Sequence, residues 1–212
     1  LMWCIECPDL VRELMDFLAR SHLAHHERRE REGRINCHRE GEYARVGFRV
    51  HCWRPVTADG EKPGLADEWA YVSAQTSSGL GPRQYEEFVQ PSNEALAVPF
   101  ARQTVYYHGC ECLDAKIDAI ARIPNLRRFH VSPWSSVEVA RRKFAAAVVC
   151  EVHSHPSEVF FGATRGEMRR SLRALVAAGE GMPMDLNLSD IHSVNGRPEL
   201  LTAWAEEAQE AS

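Results

Sequence analysis

The chain has 212 residues, of which 44% are hydrophobic and 26% are charged, and its formal net charge is −5. That length accommodates one domain with a substantial core, or one domain with a small appendage, and the composition is that of an ordinary soluble globular protein without a membrane helix. The negative charge argues against a protein that holds nucleic acid by bulk electrostatics.

The first ten residues, LMWCIECPDL, have neither the basic region nor the apolar core of an export signal. We therefore expect a cytoplasmic or nuclear protein that is not secreted. The chain begins with Leu1, as a truncated sequence would. Its seven cysteines are an odd number, which in a reducing compartment favours free thiols, and the pair Cys4 and Cys7 has no second C-x-x-C partner at zinc-finger spacing.

The N-terminal region is predicted to form an amphipathic helix from Asp9 to about Arg29, because its apolar residues recur at three and four positions. Pro8 and Asp9 are placed as a helix start signal. Residues 27–42 are nearly all charged or polar, which is typical of a solvated helix end or loop.

The next stretch is predicted to hold two strands and a long loop. Residues 45–53 alternate in strand fashion, 55–64 carry a turn signal, and 68–74 are predicted to be a second strand. The segment 77–101 is rich in Gly, Pro, Ser and Asn, and we expect a long surface loop there.

The C-terminal half has a more regular pattern of strands and helices. One helix is predicted around Leu113–Ile123, one after a cap at Ser135 or Ser136, and one from Arg165 to Ala178. The predicted strands lie at 103–109, 128–132, 145–152, 158–161 and 186–194.

Polar residues stand at the strand ends between Tyr106 and Val152 in a pattern that suits a nicotinamide dinucleotide. Such a ligand needs a strand end with His or Arg, a basic group for its phosphates and a close backbone approach, which Gly109 allows. The run YYHGCECLDAKIDAIARIPNLRRFHVSP resembles the core of RNA 2′-phosphotransferases, members of the ADP-ribosyltransferase superfamily. The later segments AVVCEV and FFGATRG are similar to the next segments of that family.

This resemblance implies an NAD-dependent transferase in tRNA processing, which moves an RNA 2′-phosphate onto ADP-ribose. Its partners would be NAD and phosphorylated RNA. By the family's motif, Arg128 binds the phosphate and His130 assists catalysis. The segment LMDFLARSH is distantly similar to another family motif and adds two catalytic residues, Arg20 and His22. The implied cofactor-binding residues are His108, Gly109 and Ser132.

The resemblance also implies the fold and the division of the chain. We expect an α+β protein with an ADP-ribosyltransferase-like split sheet, mixed and largely antiparallel, with flanking helices. Residues 1–100 are assigned to a helix-rich N-terminal part with a hairpin, in the same domain or a separate one, and residues 101–212 to the catalytic-like core.

A second motif, EVHSHPSEVFFGATRGE, competes with the first. His153 and His155 alternate on a predicted strand, and Thr164 and Glu167 follow at the start of a helix, so two imidazoles and an oxygen ligand are available to zinc. The motif resembles the HSHP signature of JAMM peptidases, with Glu111 as the candidate base. That resemblance implies a zinc metallopeptidase that cleaves a ubiquitin-like or peptide substrate.

A catalytically dead copy of either fold, retained as a binding module, is the third alternative. The sequence leaves the three open. Substitution of Arg128 separates the first two, because it should abolish NAD-dependent turnover and leave zinc content unchanged.

Overall fold

The computed structural model of the protein describes residues 1–35, 63–100 and 105–212. The chain divides into two compact units, the first made of Leu1–His108 and Ala115–Phe129, and the second of Gly109–Asp114 and His130–Ser212. The strand predicted at 45–53 lies outside the described residues, as does nearly all of the predicted turn at 55–64.

The first unit combines helices with the strands of a parallel ladder. Its elements are α1 (Trp3–Glu6), α2 (Pro8–Arg31), β1 (Ala70–Ser73), α3 (Pro82–Phe88), α4 (Gln90–Ala97), β2 (Val105–His108), α5 (Ile117–Ile120) and the first four residues of β3 (Leu126–Val131). The long helix α2 confirms the helix predicted from Asp9 to about Arg29. Pro8 stands in its first turn, where a missing N–H costs no hydrogen bond.

The segment 77–101 is not the long loop that its composition predicted, because it contains α3 and α4. Pro82 and Pro91 stand in the first turns of these helices, where proline is tolerated. The Gly81 N–H donates to Gln84 Oε1 at 3.4 Å and helps to begin α3. The residues that suggested a loop are therefore helix-start signals.

The core of the first unit packs α3 and α4 against β2. Tyr85, Tyr106 and Tyr107 are fully buried. The hydroxyls of Tyr85 and Tyr107 lie 3.0 Å apart, and Asn93 Nδ2 donates to the Tyr85 hydroxyl at 3.1 Å. These hydrogen bonds satisfy polar tips that burial would otherwise leave unpaired.

The second unit alternates strands and helices. Its elements are the last two residues of β3, α6 (Val137–Phe144), β4 (Val149–His153), α7 (Pro156–Phe161), α8 (Arg165–Ala178), β5 (Met184–Asn187) and α9 (Glu199–Ala211). The Ser136 hydroxyl caps α6 by accepting from the Val139 N–H, as predicted. The predicted strand at 158–161 is wrong, since these residues end α7, and α9 was not anticipated.

The paired strands are parallel, so the predicted mixed, largely antiparallel sheet is wrong while the α+β class holds. Tyr71 of β1 lies opposite Tyr106 of β2, which also pairs with Arg128 of β3. In the second unit, β4 and β5 run parallel, with His153 opposite Asn187. A helix follows β2 and β4 before the next strand begins, and such a crossover brings the chain back in the same direction.

Within the ranges described, no helix has the length and apolarity needed to cross a membrane.

Candidate functional site

The carboxyl ends of β4 and β5 bring polar side chains together inside the second unit. Because the two strands are parallel and in register, His153 at the end of β4 lies beside Asn187 at the end of β5. Carboxyl ends of parallel strands are where α/β proteins place their ligands. The side chains at this edge are therefore the first candidates for chemistry.

A chain of hydrogen bonds connects four of these side chains. The Nε2 atom of His153 lies 2.6 Å from Oε1 of Glu151, and the other ring nitrogen, Nδ1, lies 2.8 Å from the Ser189 hydroxyl. The Asn187 amide donates to the same Glu151 oxygen at 3.3 Å. A carboxylate, an imidazole and a hydroxyl thus stand in line.

Contact with an ionised Glu151 favours one tautomer of a neutral His153 ring. An ionised Glu151 only accepts hydrogen bonds, so the Nε2–H of His153 donates to it. In a neutral imidazole, Nδ1 then carries a lone pair, which accepts the proton of the Ser189 hydroxyl. The ring is therefore oriented as a base toward Ser189.

Burial increases along this line from the hydroxyl to the carboxylate. Glu151 is 1% exposed and His153 is 4% exposed, whereas Ser189 is only partly buried. The ring of His130, also buried, meets the ring of His153 with their centroids 4.1 Å apart. Directly after Ser189, Asp190 has a φ of 58° and turns the chain, so the hydroxyl stands at the accessible end of the line.

A second histidine–serine pair nearby lacks the carboxylate. Ser157 Oγ lies 2.7 Å from Nδ1 of His155, and the His155 ring meets Trp134 edge to face. Both members are less buried than His153. In the part of the chain that the structure describes, His155 has no carboxylate partner, so this pair is a natural reference for the first.

The residues assigned to the transferase lie in several places. His108 ends β2, where Nδ1 lies 2.9 Å from the Tyr106 hydroxyl and the ring stacks on Tyr71. Arg128 is a buried residue of β3. His130, two residues later, contacts His153 as described above.

Arg20 and His22 lie on α2 in the first unit, and both are exposed. Arg20 Nε donates to the Asp16 carbonyl at 3.4 Å. His22 lines a cavity of about 460 Å³ that α2 forms with β1 and α4.

Gly109, assigned to cofactor binding by the resemblance, lies close to the side chains of Glu111 and Leu113. A Cβ at this position would lie 2.9 Å from Glu111 Oε2 and 3.0 Å from Leu113 Cδ2, which are the ends of flexible side chains. The Ser132 hydroxyl donates to the Glu111 carbonyl at 2.7 Å and lies 3.1 Å from Ser135 Oγ. These contacts fix the loop after β3.

The three residues assigned as zinc ligands, His153, His155 and Glu167, have other hydrogen-bond partners. Glu167 accepts hydrogen bonds from the Thr164 N–H at 2.7 Å and the Thr164 hydroxyl at 2.8 Å, which caps α8 and lowers the pKa of Glu167. His153 bonds Glu151 and Ser189, and His155 bonds Ser157. Among the described residues, the donor atoms of these three side chains do not all lie within 4.8 Å of one another.

Sequence reasoning singled out His153 but missed Glu151, Asn187 and Ser189. One signal was available, because Glu151 is a charged residue in the apolar run AVVCEV, and a buried carboxylate needs a partner. The Ser189 contact depends on the register of β4 and β5 and has no such local signal.

Comparisons with known proteins do not assign the chain to a family. A scan against models of protein families finds no match, and a search of curated proteins finds no relative.

Proposed function

We propose that this chain is an acyl-transfer enzyme, in which Ser189 is the nucleophile, His153 the general base and Glu151 the carboxylate that orients the base. One observation carries the proposal, which is the line of short hydrogen bonds from Glu151 through His153 to Ser189. A hydroxyl within hydrogen-bond reach of a base that a third group orients is the signature of an activated nucleophile.

The proposed reaction uses only protons and one covalent bond to the chain. The Ser189 oxygen attacks the carbonyl carbon of an ester or amide while its proton moves to Nδ1 of His153. The leaving alcohol or amine takes that proton, and the acyl group stays on Ser189. Water then attacks the acyl-serine with His153 again as base, which releases the carboxylic acid and restores the hydroxyl.

The surroundings of the line support this reaction. The positive charge that forms on His153 lies against Glu151 in a buried setting, where an ion pair is stronger than in water. The Asn187 amide holds the Glu151 oxygen, and the His130 ring restricts rotation of the His153 ring. The base is therefore oriented before a substrate arrives.

A fluorophosphonate probe tests the proposal without a known substrate. Attack by the Ser189 oxygen on phosphorus expels fluoride and leaves a phosphonyl-serine, which intact-protein and peptide mass spectrometry locate. We expect labelling of the wild-type chain at Ser189, none in Ser189→Ala, and labelling slower by about 10²-fold or more in His153→Gln and Glu151→Gln.

The matched control is Ser157→Ala, which removes a hydroxyl that also lies on a histidine but without a carboxylate behind it. This variant should be labelled at the wild-type rate. An unlabelled wild-type chain, or labelling that persists in Ser189→Ala, contradicts the proposal. Circular dichroism shows whether each variant is folded.

The NAD-dependent transferase stays a prediction from the resemblance, with NAD and phosphorylated RNA as its ligands. Calorimetric titration of NAD into the wild-type chain and into Arg128→Ala tests it independently of the labelling experiment. The zinc peptidase also stays a prediction, which metal analysis of the purified chain tests.

A further inference from the structure

Helix α2 carries apolar residues on two of its faces. One face packs within the first unit, where Ala19 is buried and Val11, Met15 and Leu23 are partly buried. The Ser92 hydroxyl of α4 donates to the Met15 carbonyl at 3.3 Å on this side. A helix that is apolar beyond its packed face has a second partner or an unexplained exposed surface.

The second face is exposed and follows a heptad spacing. We call it the outer stripe, which consists of Leu10, Leu14, Phe17, Ser21 and Ala24. Its members are four, three, four and three residues apart, the spacing of a coiled-coil seam. Phe17 is 58% exposed and Leu10 is 50% exposed, so large apolar side chains stand in solvent along this stripe.

Charges beside the outer stripe change sign along the helix. Glu13 flanks it in the first half of α2 and Arg20 flanks it in the second half, and both are exposed. Neither forms an ion pair with another residue in the described ranges. The helix dipole favours acidic residues only in the first turn and basic ones only in the last, so it does not account for charges at these inner positions.

We propose that the outer stripe is a self-association surface, on which α2 of a second copy of this chain packs antiparallel. In such a pair, a two-fold axis between Leu14 and Phe17 sets Leu14 of one copy against Phe17 of the other. The same arrangement brings Glu13 of each copy beside Arg20 of its partner. A parallel, in-register pairing would place the two copies of Glu13 on opposite sides of the seam, and likewise the two copies of Arg20, so neither residue would meet an opposite charge. Charge complementarity therefore selects a second copy in the antiparallel orientation.

Sedimentation velocity of the full chain under reducing conditions tests this dimer over a range of concentrations. We expect Glu13→Arg and Arg20→Glu each to raise the dimer dissociation constant by about tenfold, because each places like charges across the seam. The double variant carries opposite charges again, so its dissociation constant should return close to the wild-type value. Phe17→Asp should be monomeric.

Asp16→Arg is the matched control, since it makes the same charge change on the same helix at an exposed position away from the outer stripe. It should dimerise like the wild type. A wild-type chain that stays monomeric at about 100 µM, well above the dissociation constant of a specific dimer, overturns the proposal. So does a double variant no better than the singles, or a control that weakens association as much as Glu13→Arg.

Discussion

Glu151 lies between the apolar residues Cys150 and Val152 on β4, and its side chain is almost fully buried. Burial of a carboxylate costs several kcal/mol of desolvation free energy. A well-packed apolar residue at the same position would not carry this cost. A structural role would be served by many side chains, whereas orientation of an imidazole requires an acceptor at this atom. Orientation of His153 by Glu151 is what the proposed function requires at this position.

Glu167 shows the reverse case, in which a residue assigned to zinc stabilises a helix. Its carboxylate and the Thr164 hydroxyl form a reciprocal capping box, since the Thr164 hydroxyl accepts from the Glu167 N–H at 3.3 Å. We expect Glu167→Ala to lower the free energy of unfolding, because it removes one of the two reciprocal hydrogen-bonding side chains of the capping box. Urea denaturation measures the change.

The control for this prediction is Glu180→Ala, which removes an exposed carboxylate just beyond α8 and should change stability little. Equal losses in the two variants would contradict a capping role. Zinc content measured on the same samples should be the same in wild type and Glu167→Ala.

At the scale of elements, a pair of arginines on α8 holds a carboxylate of α9. Glu207 is 0% exposed and accepts hydrogen bonds from Arg169 Nε at 2.5 Å and Arg165 Nε at 2.5 Å. Arg169 and then Arg165 lower the pKa of Glu207 to about 2. The interaction ties the two helices together across 38 residues of sequence.

The ion pairs of Glu207 with Arg165 and Arg169 predict a pH-dependent stability of the second unit. The pKa of Glu207 is lower in the folded chain than the value of about 4.3 expected when it is unfolded. Its contribution is therefore complete above about pH 4.5 and is lost as the pH falls toward the folded value. The urea midpoints of wild type and Glu207→Gln should differ at pH 6, and the difference should shrink steadily as the pH is lowered from about 4 toward 2. A difference that is independent of pH would contradict a stabilising role for these ion pairs.

Sequence patterns predicted the elements that combine an apolar face with local start signals. Helices α2, α6 and α8 have both, and each was predicted close to its observed bounds. The helices α3 and α4 are short and each has a proline in its first turn, so composition favoured a loop. Residues 158–161 form an apolar run too short to distinguish strand from helix.

Strand direction and site partners could not be predicted in the same way. The prediction of a largely antiparallel sheet came from the family resemblance. The pattern of strands that alternate with helices, by itself, favours parallel pairing. His153 was singled out because it alternates with His155 in a motif that resembles a zinc-binding signature. Its contact with Ser189 joins residues 36 positions apart, which only the register of β4 and β5 determines.

At the scale of the whole molecule, exposed apolar surface is unevenly distributed along the chain. In the ranges described, eight of the thirteen large exposed apolar side chains lie within the first 18 residues. The net charge of −5 repels like copies, so association requires a local patch strong enough to overcome it. The outer stripe of α2, with its paired charges, provides such a patch.

Self-association through α2 predicts that thermal stability depends on protein concentration. A partner that binds only the folded chain stabilises it by mass action, so the melting temperature should rise as the concentration is raised from about 2 to 200 µM across the dissociation constant. Phe17→Asp cannot associate and should melt at one temperature throughout, while Asp16→Arg should follow the wild type. Scanning calorimetry measures all three, and an equal rise in Phe17→Asp would show that the effect comes from a surface other than the outer stripe.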